Sequence, residues 1–133
     1  MYAMNLDLSP LTRALNSLDR AVSRSLREPE DEEVRDSVIQ RFEYTYELCW
    51  KMLKRQLEMD SASPAEVDSL SFRDLIRSGA ERGYIQDPSA WFVFREMRNI
   101  TSHTYNAEKA KKVHRSAIEF AEHARSLLEK LAT

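Results

Sequence analysis

At 133 residues, with a formal net charge of −2 and a pI near 6.0, the chain can bury a core of its own and lacks the global positive field that recruits nucleic acid. One cysteine excludes an intrachain disulfide and a four-cysteine zinc site, and two glycines with four prolines are too few turn residues for a many-stranded β fold. No apolar run reaches the roughly 18 residues of a membrane span, and Met1 to Asp7 has no basic segment leading into an apolar one, so a soluble cytoplasmic protein is expected.

The remaining order along the chain is helical. Ser9 as N-cap and Pro10 at the first helical position predict a helix whose buried stripe is Leu11, Leu15, Leu18, Val22 and Leu26, ending before Arg27-Glu28-Pro29. The acidic run Glu28 to Glu33 reads as a solvated loop leading into an acidic helix start. A long second helix follows from Asp31 or Glu32 to Met59, with Val38, Ile39, Phe42, Tyr46, Cys49, Trp50, Leu53 and Leu57 as its apolar row. An aromatic row can stack bases, but at this spacing it reads as core, and Cys49 within it reads as a small buried hydrophobe. As the longest stripe, this helix is expected to be the central strut.

Asp60 to Asp68 is small and polar and reads as a loop. Ser71 with Asp74 three residues on caps a short helix from Phe72 to about Arg82, which Gly83 stops, and Tyr84-Ile85 then fold back under it. Asp87-Pro88 opens a helix through Trp91, Phe94, Met97 and Arg98. Asn106 caps the last helix, whose apolar side is Ala110, Val113, Ala117, Phe120, Ala121, Ala124, Leu127 or Leu128, and Leu131. Five helices are predicted, four of them long enough for an antiparallel bundle, with residues 1–133 as a single all-α domain.

The chemistry gathers in Arg98-Asn99-Ile100-Thr101-Ser102-His103-Thr104-Tyr105, which places a fixed cation, a titratable imidazole and a phenol within eight residues. On an unbroken helix Arg98 and Tyr105 fall nearly in line, whereas His103 points about 140° away from Arg98. Either the helix ends inside this stretch, or a second copy supplies the missing group across a two-fold axis. The run from Ile100 to Thr104 is poorer in helix formers than the residues before it, which favours an ending.

Histidine exchanges protons near neutral pH, and the arginine fork matches phosphate oxygens. Together they suit metal-free RNA cleavage, with His103 handling the 2′-hydroxyl or leaving-oxygen proton and Arg98 the charge that grows on phosphorus-bound oxygens. Lys109, Lys111, Lys112 and Arg115 follow and are placed to guide phosphates, although a solvated helix face is the plainer reading. His114 and His123, nine apart and nearly opposite on the last helix, make no paired metal site. There is no glycine-rich phosphate loop and no carboxylate triplet for magnesium, so the chain does not read as a nucleotidyltransferase or kinase.

The spacing Arg98, four residues, His103, one residue, Tyr105 matches the R-x4-H-x-Y signature of HEPN domains. Phe42 to Lys51 and Ser71 to Arg77 resemble the second- and third-helix blocks of the HepT-like branch, also called nucleotidyltransferase substrate-binding proteins, so that about residues 35 to 115 are covered in order. The resemblance implies an all-helical homodimer with facing motifs and a separate minimal nucleotidyltransferase as partner. In toxin–antitoxin members it implies a metal-independent ribonuclease that uses Arg98 and His103, needs no cofactor, and is silenced when the partner transfers AMP from ATP to Tyr105. Asn99, four residues before His103, is expected to orient the imidazole if the helix continues. The rival expectation is a dimer that presents substrate to the nucleotidyltransferase and cleaves nothing.

Overall fold

The computed structural model describes residues 6–133; residues 1–5, on which the N-terminal reading partly rests, lie outside the described residues. The elements are α1 (Ser9–Arg27), α2 (Glu32–Asp60), α3 (Pro64–Asp68), α4 (Phe72–Glu81), α5 (Pro88–Ile100), a single 3-10 turn (Thr101–His103) and α6 (Ala107–Leu131). Helices α1, α2, α5 and α6 form the bundle, and α2 packs against all the other α-helices, as expected of the longest stripe.

Local chemistry fixes most boundaries. Asp31 accepts from the amides of Glu33 and Val34, Ser71 from that of Asp74, Asp87 from that of Ala90, and Asn106 from those of Glu108 and Lys109. Each side chain satisfies amides that a helix start leaves without partners. Helix α4 ends in a Schellman motif: Gly83 takes φ +84°, its amide bonds to the Ala80 carbonyl at 3.1 Å, and the Tyr84 amide bonds to that of Gly79 at 2.8 Å. Ile85 is thereby turned under the helix and buried.

Four details depart from the sequence reading. Ser9 is the first helical residue of α1 instead of its cap, and the Asp7 carboxylate accepts from its amide at 3.0 Å. Leu26 is 62% exposed, and Ser25 is buried in its place because His114 of α6 meets Ser25 Oγ at 2.9 Å. The polar segment after α2 contains α3, started by Pro64 and anchored by buried Val67, so six α-helices stand where five were expected among the described residues. Trp50 is only half-buried and borders a cleft.

Phe120 of α6 sits at the centre of the core, edge-on to Phe42 at 5.0 Å, Phe94 at 5.2 Å and Trp91 at 5.7 Å between ring centres. These contacts join α2 and α6 to the first two turns of α5, the helix that carries Arg98 near its other end. Among the described residues no helix is long and apolar enough to cross a membrane.

Candidate active site

Helix α5 stops two residues after Arg98, and a hydroxyl accounts for the stop. Thr101 Oγ1 donates to the Arg98 carbonyl at 2.7 Å, and Thr104 Oγ1 donates to the Thr101 carbonyl at 3.1 Å. The backbone tightens into the 3-10 turn, and the Asn106 amide bonds to the His103 carbonyl at 3.2 Å just before α6 begins. The expected ending inside the stretch is thus realised by side chains that compete with the helix ladder.

Arg98 is held from two directions. Its Nε lies 3.4 Å from Glu47 Oε1 of α2, and its Nη1 donates to Thr101 Oγ1 at 3.2 Å. Glu47 Oε2 in turn accepts from Trp50 Nε1 at 3.1 Å, which fixes the carboxylate. Both partners of the ion pair keep about a third of their side-chain surface in solvent (35% each), so the guanidinium is positioned without being sealed. Sequence reasoning missed Glu47 as a site residue and gave Thr101 only a helix-breaking role. Glu47 does lie inside the Phe42 to Lys51 block, but nothing local marks its pairing with a residue more than fifty positions away.

His103 is exposed at the end of the turn, and its ring stands edge-on to that of Tyr105 with centres 6.1 Å apart. Tyr105 is 86% exposed. The helix does not continue from Asn99 to His103, and among the described residues no hydrogen bond joins them. Asn99 instead borders a cleft beside Arg98, so its expected part in orienting the imidazole is not seen.

The motif runs along one edge of α2. Asp36, Gln40 and Glu43 line a hollow with Thr104 and Tyr105, and Glu47, Trp50 and Lys54 line a larger cleft with Arg98. Those six α2 residues recur at alternating spacings of four and three, which places them on a single helix face. Both ends of the motif therefore open onto the same side of the bundle.

Lys109, Lys111, Lys112 and Arg115 are all exposed on the first turns of α6, and none forms an ion pair among the described residues. His114 is tied to Ser25, and burial, aided by Arg35 and Arg115, lowers its pKa below the usual histidine value. His123 stacks edge-on against Phe94 and lies 3.9 Å from Glu119. Both histidines serve the packing of α6. Cys49 is fully buried, and burial pushes its thiol well above the usual range, which leaves it inert as a nucleophile. No group of three His, Cys, Asp or Glu is placed to hold a metal among the described residues.

Known proteins share this fold. The chain is 37% identical to a Haemophilus influenzae protein named "Probable ribonuclease HepT", over 98% of this chain and 95% of that one. A solved Haemophilus influenzae structure, described as the fold of a substrate binding domain of a nucleotidyltransferase, superposes with a TM-score of 0.88 at 36% identity, covering 96% of this chain and all (100%) of that one. A solved Thermus thermophilus protein superposes with a TM-score of 0.76 at 28% identity, over 92% of this chain and 99% of that one. Residues 6–133 match the family model described as "nucleotidyltransferase substrate binding protein like", and the chain belongs to that family.

Proposed function

We propose that the protein is a metal-independent endoribonuclease, the toxin of a toxin–antitoxin pair, acting as a homodimer in which Arg98 and His103 of both copies share one cleft. The observation that carries this reading is the division of labour in the motif. Arg98 is paired with Glu47 and bonded to Thr101, while His103 and Tyr105 are exposed on the turn that follows, where Thr104 and Tyr105 border a hollow on the same face of α2. Fixing the charge and freeing the proton carrier suits internal transfer at phosphorus. One imidazole removes the proton from a ribose 2′-hydroxyl, and the resulting oxygen attacks the adjacent phosphorus. The bond from phosphorus to the 5′-oxygen breaks, the second imidazole returns a proton to that oxygen, and a 2′,3′-cyclic phosphate remains. Arg98 bears the charge that builds on the non-bridging oxygens. The edge-on His103 and Tyr105 rings put the phenol beside the proton carrier.

The exposure of Tyr105 supports a silencing scheme that acts on its phenol. A cognate minimal nucleotidyltransferase brings ATP, the phenol oxygen attacks the α-phosphorus, and pyrophosphate leaves. The new phosphodiester adds negative charge and an adenosine where an RNA phosphate must approach. Lys109, Lys111, Lys112 and Arg115 extend the positive approach to the site.

A second reading is favoured by the description of the solved Haemophilus influenzae structure: a non-catalytic subunit that presents substrate to the nucleotidyltransferase. RNA incubated with the unmodified protein and with a His103→Ala variant separates the two. Cleavage by the first alone supports the ribonuclease; equal background from both supports the binding subunit. Mass spectrometry after incubation with the partner and ATP tests Tyr105, and an AMP adduct anywhere else removes the silencing scheme.

A further inference from the structure

The cleft beside Arg98 is larger and more aromatic than phosphate chemistry requires. It holds about 480 Å³, within the range of small-molecule sites, and its walls come from α2, the α3–α4 segment and α5. Trp50 borders it on the α2 side, with Lys51 Nζ over the indole at 5.7 Å and Glu47 fixing the indole nitrogen. On the other side the Arg95 guanidinium lies over the Phe72 ring at 4.7 Å, a flat cation on a flat ring. Planar bases stack on aromatic rings and on guanidinium planes alike. The amide of Asn99 at the rim offers both a donor and an acceptor to a base edge.

We infer that this cleft is a nucleobase subsite: it takes one unstacked base of the RNA strand, next to the phosphate held at Arg98, between Trp50 and the Arg95–Phe72 stack. The assignment rests on the reading of Arg98 as the phosphate-binding group. A phosphate at the guanidinium leaves its neighbouring base within reach of the cleft, because Arg98 itself forms part of the wall. The subsite selects single-stranded RNA, since a base held in a duplex cannot enter it. It also explains why the bundle leaves Trp50 half-buried when the rest of the aromatic row is packed inside.

The test uses a short, fluorescently labelled single strand with 2′-O-methyl ribose, which cannot undergo internal transfer. Anisotropy titrations compare the unaltered protein with Trp50→Leu and Trp50→Phe, after thermal unfolding has verified that both variants fold. Loss of one stacking contact weakens binding by roughly 5- to 150-fold in Trp50→Leu. Trp50→Phe retains most of the affinity, and the salt dependence stays the same because no phosphate contact is lost. An abasic strand of equal charge binds the unaltered protein about as weakly as the full strand binds Trp50→Leu. Equal affinity of Trp50→Leu and the unaltered protein overturns the assignment, as does equal affinity for the abasic and full strands. Absence of binding together with Trp50 shielded from acrylamide in the dimer also overturns it, because a second copy then fills the cleft. Base-dependent binding by a protein that never cuts RNA removes the ribonuclease reading and keeps the subsite, whereas RNA cutting with an unchanged KM in Trp50→Leu does the reverse.

Discussion

Replacing Glu47 with Gln removes one charge beside Arg98 and almost no volume. At the observed 3.4 Å, two unit charges attract by about 5 kcal/mol in a medium of effective dielectric near 20. With both side chains 35% exposed, desolvation and solvent screening leave only about 1 kcal/mol of net stability. The hydrogen bond from Trp50 Nε1 survives, because the amide oxygen of Gln still accepts it. Glu47→Gln is therefore expected to lower the Tm by about 3–5 °C. Its effect on chemistry is larger: a guanidinium that Thr101 alone holds spends less time at the phosphate, and a positional loss on the order of tenfold in the single-turnover rate is expected. Differential scanning fluorimetry gives the first quantity, and single-turnover cleavage of an RNA strand gives the second, with His103→Ala as the floor. A Glu47→Gln protein that melts earlier yet cleaves at the full rate would refute the claim that this ion pair positions Arg98.

Other consequences are as direct. Tyr105→Phe should keep ribonuclease activity while the partner and ATP no longer suppress it, as read by RNA cleavage in their presence; suppression that persists places the modification elsewhere. Paired removal of Lys111 and Lys112 as Ala should reduce the slope of log affinity against log salt by about 1 to 2, without altering base preference. His114 has a folded-state pKa below its unfolded value, so the unfolded chain binds more protons just below pH ~6.5 and stability falls as pH drops through that window. In urea unfolding at pH 5.5 and 7.5, the stability lost at the lower pH should therefore be smaller for His114→Gln than for the unaltered protein. Gly79→Ala puts a methyl group 3.0 Å from Ile85 Cγ1 and 3.1 Å from Leu53 Cδ2; crowding of about 1–3 kcal/mol is set against the roughly 1 kcal/mol that Ala gains over Gly inside a helix, so the same assay should show a net loss of no more than about 2 kcal/mol.

Which features the sequence displayed depends on how local their causes are. The starts of α2, α4, α5 and α6 were legible because each is fixed by one side chain and amides two or three residues away. The break after Ile100 was legible for the same reason, as Thr101 bonds back within its own turn. Leu26 was misplaced because periodicity continues a stripe regardless of what faces it, and His114, distant in sequence, offers a polar partner to Ser25 instead. Helix α3 was hidden because Ser63-Pro64 reads equally as a turn and as a helix start, and its single buried residue, Val67, makes no stripe. The motif residues were visible as a cluster and through resemblance, whereas Glu47 and the cleft around Trp50 exist only once α2 and α5 are packed side by side.

The most direct test of the central claim is to identify the RNA products formed by the unmodified protein in the presence of EDTA, beside His103→Ala. Strands ending in 2′,3′-cyclic phosphate are expected from the unaltered protein and none above background from the variant. Equal cleavage by the two proteins, or products that require a metal and carry a 5′-phosphate, would contradict metal-free transfer through His103.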